Sequence, residues 1–165
     1  MLSQDIEKKI ISELKDIIRS DLRSIILFGS YAKGTAQTYS DIDILVIPNR
    51  KFAKWTERRD LEMELRKRLY RTVGQVSPKI GSIEELRAAL DNFNPLILNI
   101  PDSGVPSYAD GTFDKLKEHF KRIVSAKIMR HTDYWGSGGV MQTVFEMLVP
   151  FFKKGGKLDE RFTVS

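Results

Sequence analysis

The chain has 165 residues, 41% of them hydrophobic and 30% charged, with a formal net charge of +5 and no cysteine. This balance fits one globular domain with an ordinary core, excludes disulfides, thiolate metal sites and cysteine nucleophiles, and predicts a cytoplasmic protein. No apolar run approaches the ~20 residues of a membrane span, and the mild positive charge suits an anionic ligand as well as it suits a plain Lys- and Arg-rich surface.

The start, MLSQDIEKKII, is charged and helix-like, which is not the pattern of a signal peptide. Residues 3–20 read as a helix: Ile6, Ile10, Leu14, Ile17 and Ile18 share one face, Ser3 can cap, and Asp5 and Glu7 favour the positive end of the helix dipole. A short apolar run, Leu22 to Phe28, predicts a strand, and Gly29 to Lys33 a brief helical turn after it. Gly34 to Ser40 is polar and turn-rich. Asp41 to Ile47 alternates acid with Ile, Leu and Val and stops at Pro48, which predicts a second strand with one buried side and one acidic side.

Further along, Lys54 to Tyr70 reads as a charged helix with Leu61, Leu65 and Leu69 inward. Its mixed charges, Glu57 to Asp60 and Glu64 to Arg68, predict a solvated face with i,i+4 pairs. Val73 to Ile80 is β-like, and a Ser82–Glu85 capping box opens a helix to about Leu90. Asn94 to Asp102 fits either a helix or a strand. Gly111 to Arg130 has helical spacing, with Phe113, Leu116, Phe120, Ile123, Val124 and Ile128 on one face. Trp135 to Gly139 reads as a flexible break before an apolar segment, Val140 to Phe152, that closes the chain's own core or docks on a second subunit. The order predicts an α/β domain over residues 1–133 and a helical extension over 134–165. His119 and His131, twelve apart and without a third ligand, read as surface or helix-end residues.

The chemistry concentrates in LFGSYAKGTAQTYSDIDILVI, Leu27 to Ile47. On a strand, residues i and i+2 point the same way, so Asp41 and Asp43 project two negative charges into one space. Like charges raise one another's pKa, and a divalent cation resolves the conflict. Mg²⁺ accepts such oxygen ligands and shares its shell with substrate phosphates. Gly29 lets a phosphate approach the backbone at a helix start, and the Ser30 hydroxyl can donate to it.

Gly29-Ser30, ten residues, then Asp41-Ile42-Asp43 resembles the signature of the DNA polymerase β-like nucleotidyltransferase superfamily. GSYAKG with SDIDIL is especially similar to the minimal nucleotidyltransferases. The resemblance implies a nucleotidyltransferase fold, a small mixed sheet flanked by helices. It implies Mg²⁺ or Mn²⁺ on Asp41 and Asp43, the catalytic pair. ATP or another nucleoside triphosphate would be held by Gly29, Ser30, Lys33 and Ser40. It also implies transfer of a nucleoside monophosphate to a protein, RNA or small-molecule hydroxyl. Such chains often work beside a helical HEPN-domain partner; a homo-oligomer and an RNA are also compatible, a membrane is not. A relative of the aminoglycoside nucleotidyltransferases is a weaker reading, because the chain is short for a self-contained antibiotic pocket.

Active members carry a third carboxylate on a later strand. Here that strand should be Val73 to Ile80, which holds no acid. Gln75 is the expected occupant of the vacant position. Glu84 or Glu85 could replace it, a partner could supply the acid, or the protein could bind nucleotide and transfer slowly or not at all.

Overall fold

The computed structural model describes residues 2–130 and 135–137. The chain divides into two compact units, Met1–Lys121 and Arg122–Ser165. In the first, β1 (Leu22–Phe28), β2 (Ile42–Pro48), β3 (Val76–Ile80) and β4 (Val105–Ala109) form one sheet in the spatial order β3-β2-β1-β4. β1 is antiparallel to β2 and to β4, whereas β2 and β3 run parallel. This is the expected mixed sheet flanked by helices, in the α/β class.

α1 (Gln4–Ile18) starts where its cap predicts, with the Ser3 hydroxyl accepting from the Ile6 amide. Its Ile10, Leu14 and Ile18 meet Leu61, Leu65 and Leu69 of α3 (Trp55–Thr72) over one face of the sheet, formed by Ile25, Leu27, Ile42, Ile44, Val46, Val76 and Ile80. By alternation, Ile26, Phe28, Leu45 and Ile47 point to the other face, and they too are buried. So β2 is not a strand with one open acidic side. Both its faces are covered, and only its first turn of the pleat, at Asp43, is half-exposed. α5 (Pro95–Ser103) packs against β1 and against α2 (Gly29–Lys33).

Several local expectations shift. Asn94 caps α5 through the Leu96 and Ile97 amides, with Pro95 at its first position, which settles a helix over a strand. α4 (Ile83–Asp91) carries both bonds of the Ser82–Glu85 capping box. β3 begins three residues late, because Val73 ends α3 and Gly74 has a left-handed φ of 116°. The charged residues of α3 mostly bridge elements: Arg68 Nε lies 2.5 Å from Glu13 of α1 and Arg58 3.4 Å from Glu85, while within the helix Arg59 lies 3.7 Å from its neighbour Asp60. β4 carries no clean alternation and is mostly exposed, which hides it in the sequence.

α6 spans Thr112–Lys127. Residues 128–130, expected to continue it, instead pair as β5 (Ile128–Arg130) with β6 (Trp135–Ser137), inside the stretch read as a flexible break. His131 and Val140 to Phe152 lie outside the described residues. Among the described residues no helix is long and apolar enough to cross a membrane.

Candidate functional site

β1 hands the chain directly to α2. Phe28 precedes the helix in an extended conformation and offers no side-chain cap, so the first amides of α2 gain no partner from it. Gly29 has a φ of +69°, a region L side chains rarely adopt. It is needed for a second reason. A Cβ there would overlap Oδ2 of Asp43 and sit 3.2 Å from its Cγ. The antiparallel register, Phe28 against Asp43, produces this approach.

Asp43 is half-buried, and Asp41, one residue before β2 begins, is exposed. Burial pushes the Asp43 carboxyl above the usual carboxylate range, the charge of Asp41 pushes it the same way, and Lys79 opposes both. The Gly-Ser corner and the two aspartates therefore share one end of the sheet, at the end of β1 and the start of β2.

The remaining sequence candidates fall around this corner. Ser30 sits in the first turn of α2, and Lys33 is exposed at its last residue, one turn beyond Gly29. Gly34 closes α2 in a left-handed conformation, and the Thr35 amide donates to the Ser30 carbonyl at 2.9 Å. Ser40 serves the loop: its hydroxyl accepts from the Gln37 amide at 2.9 Å, and its amide donates to the Gln37 carbonyl at 3.0 Å. That turn fixes the chain just before Asp41. Tyr31 packs on the core, and Tyr39 is 91% exposed.

The parallel register pairs Asp43 with Ser77, and paired residues of neighbouring strands point to the same face. Continued two residues back, the β3 register sets Gln75 across from Asp41, on the face of Asp43. Gln75 precedes the strand and accepts from the Ile42 amide through its backbone carbonyl at 2.9 Å. Glu85 lies past the other end of β3, held by the Ser82 amide at 2.9 Å and paired with Arg58. Glu84 stands beside it in the first turn of α4. From Ser77 to Ser82 is roughly 15 Å of extended chain, too far for either glutamate to join Asp43. Among the described residues no third His, Asp or Glu completes a metal cluster. His119 Nε2 lies 2.9 Å from Asp91 Oδ1, remote in sequence from the motif.

Sequence reasoning missed Ser77 and Lys79. Lys79 shares the face of Asp43 and Ser77, and its Nζ also lies 3.5 Å from Glu62 of α3. Alternation within VSPKI, combined with a parallel pairing to β2, is the signal that would have found both.

The donor set suits a small hard cation: two carboxylates, one of them held up by burial and by the other's charge, beside a glycine whose missing Cβ makes room for Asp43.

The family model for polymerase β nucleotidyltransferases matches residues 8–92, which contain β1, α2, β2, α3 and β3. The chain belongs to that family. Two Methanocaldococcus jannaschii proteins named as candidate protein adenylyltransferases are similar to it. MJ1305 is 40% identical over 94 residues, 54% of this chain and 60% of that protein. MJ0604 is 37% identical over 79 residues, 48% of this chain and 72% of that protein. The chain thus spans less than two thirds of MJ1305. Among solved structures, a toxin–antitoxin with AMP-PNP has a TM-score of 0.51 at 20% identity, covering 90% of this chain and 97% of that one. A point mutant of the toxin–antitoxin MntA–HpeT has a TM-score of 0.50 at 20% identity, covering 94% and 98%. These two likenesses show the fold.

Proposed function

We propose that this chain is a divalent-cation-dependent adenylyltransferase that moves AMP from ATP to a hydroxyl of a protein partner, and that a HEPN-domain protein is that partner. The contact between Gly29 and Asp43, with Asp41 alongside, carries the reading. It supports the reading because the glycine–serine corner, where a phosphate would sit, lies directly against the acidic pair. The names of the M. jannaschii relatives, and the toxin–antitoxin assemblies sharing the fold, support the protein acceptor.

Asp41 and Asp43 would hold Mg²⁺ or Mn²⁺, which when bound neutralises charge on the triphosphate. Gly29 and Ser30 would seat the phosphates, with Lys33 at the outer edge. The acceptor oxygen forms a bond to the α-phosphorus, the α–β bridging bond breaks, pyrophosphate leaves, and the hydroxyl proton passes to solvent. Positioning and charge do most of the work in such transfers.

A second reading follows from Ser77. A serine in place of a third acid is no general base at neutral pH. The chain would then act mainly as a nucleotide-binding antitoxin that restrains its partner by contact and modifies it slowly.

Incubation with labelled ATP and Mn²⁺ or Mg²⁺, with and without the purified HEPN-domain protein, separates the two. Label on the partner, lost with Asp43→Asn, supports transfer. A complex without label supports the second reading. Neither label nor complex overturns both.

A further inference from the structure

The outer face of α3 is unlike an ordinary solvated helix. Projected at 100° per residue, Trp55, Arg66, Arg59, Tyr70, Met63 and Lys67 fall within one sector of about 120°. This sector lies opposite the buried Leu61, Leu65 and Leu69. Trp55 is 65% exposed, Tyr70 64% and Met63 49%; three of the exposed large hydrophobics thus line one helix. The four acids of α3, Glu57, Asp60, Glu62 and Glu64, all project outside the sector. Arg59 stacks on the Trp55 ring with its guanidinium carbon 4.8 Å from the centroid, which holds both side chains in place.

Trp, Tyr, Arg and Met are the residues enriched at protein-interface centres. Arg59 is paired with Asp60 at 3.7 Å, which leaves Arg66 and Lys67 as the strip's excess positive charge; a second copy is a poor occupant, because that excess would face itself. A nucleic acid would meet Met63 and the acids flanking the strip. The strip also has a direction. α3 runs back to β3, and the chain leaving it reaches Gln75, whose carbonyl binds Ile42 at the start of β2. Tyr70 therefore lies at the same end of the sheet as Asp41 and Asp43, and Trp55 at the opposite end.

We infer that this face of α3 docks a protein partner through an acidic, partly apolar surface, and so steers the partner's acceptor hydroxyl to the Asp41–Asp43 end. The steering rests on the adenylyl-transfer reading; the docking does not.

The test uses the full chain and the purified HEPN-domain protein, with binding followed by calorimetry at two salt concentrations. Trp55→Ala/Tyr70→Ala and Arg59→Glu/Arg66→Glu should each weaken the complex at least tenfold, and raised salt should weaken the wild-type complex. Glu7→Lys on α1 should leave it unchanged, and circular dichroism confirms folding. With Asp43→Asn the complex should persist although label transfer stops, which separates docking from chemistry. A wild-type complex that both α3 variants retain overturns the inference. So does tighter binding of the strip to single-stranded RNA or to anionic vesicles than to the partner. No wild-type complex at all overturns the docking inference together with the partner named in the functional reading, whereas a complex that survives both α3 variants overturns the inference alone.

Discussion

Gly29 and Asp43, fourteen residues apart in the chain, touch so closely that residue 29 has no room for a side chain: a Cβ would overlap Oδ2 of Asp43. The left-handed φ of +69° makes the same demand independently. Gly29→Ala should therefore destabilise by about 2 kcal/mol, roughly half from backbone strain and half from the clash. In an Asp43→Ala background only the backbone part should remain, near 1 kcal/mol. Urea denaturation of the four proteins measures the coupling directly. Additive effects would mean that the two residues do not touch.

In the folded state the Asp43 carboxyl sits above the usual carboxylate range, pushed up by burial first and by Asp41 second, with Lys79 opposing both. The sign follows. Between the unfolded and the raised folded pKa the native state binds more protons than the unfolded chain, so stability falls as pH rises through that window. Above it the cost is fully present; below about 3.8 it is gone. Asp43→Asn should then raise stability at pH 7 by roughly 0.5 kcal/mol in the metal-free protein, since solvent screens a half-exposed pair. The gain should vanish near pH 3. Thermal melts across pH read it, and a variant less stable than wild type at pH 7 would contradict the strain on this carboxylate.

How much of this was readable beforehand depends on where the physics is local. The Ser82–Glu85 box, the Ser3 cap and the Leu61–Leu65–Leu69 stripe depend on neighbours a few residues away, and they stand where the pattern puts them. The GS and DID pairs were visible for the same reason. What escaped was register. Whether Gln75 or Ser77 pairs with Asp43 depends on where α3 stops, and Val73 and Gly74 stop it without a breaker signal strong enough to fix the residue. The cross-element partners of Arg58 and Arg68, and the 128–130 hairpin strand, are likewise decided by tertiary pairing.

Lys79 draws Asp43 back towards its ionised form and reaches Glu62 at 3.5 Å. Without it the acidic pair loses the positive charge that holds Asp43 down. Lys79→Met should lower metal-free stability at pH 7 by a few tenths of a kcal/mol while tightening Mn²⁺ several-fold, because the cation no longer competes with a lysine. Electron paramagnetic resonance titration of free Mn²⁺ gives the affinity. Weaker binding in the variant would show that Lys79 supports the site by packing and not as a competing charge.

Ser77 is the residue best placed to report what the site lacks. It pairs with Asp43 in parallel register, on the same face, so Ser77→Asp installs a third carboxylate beside the existing two. In the metal-free protein a third like charge should cost about 0.5–1 kcal/mol and push Asp43 further upward, a loss that disappears in acid as the carboxyls protonate. With Mn²⁺ present the balance should reverse: more negative oxygen ligands tighten the cation, and the variant should melt higher than wild type at saturating metal. If transfer in the wild type is slow for want of an acid, labelled-ATP turnover should also rise, by tenfold or more. A variant destabilised to the same degree with and without Mn²⁺ would mean that residue 77 does not face the metal-binding corner, and the register argument for the missing acid would fall with it.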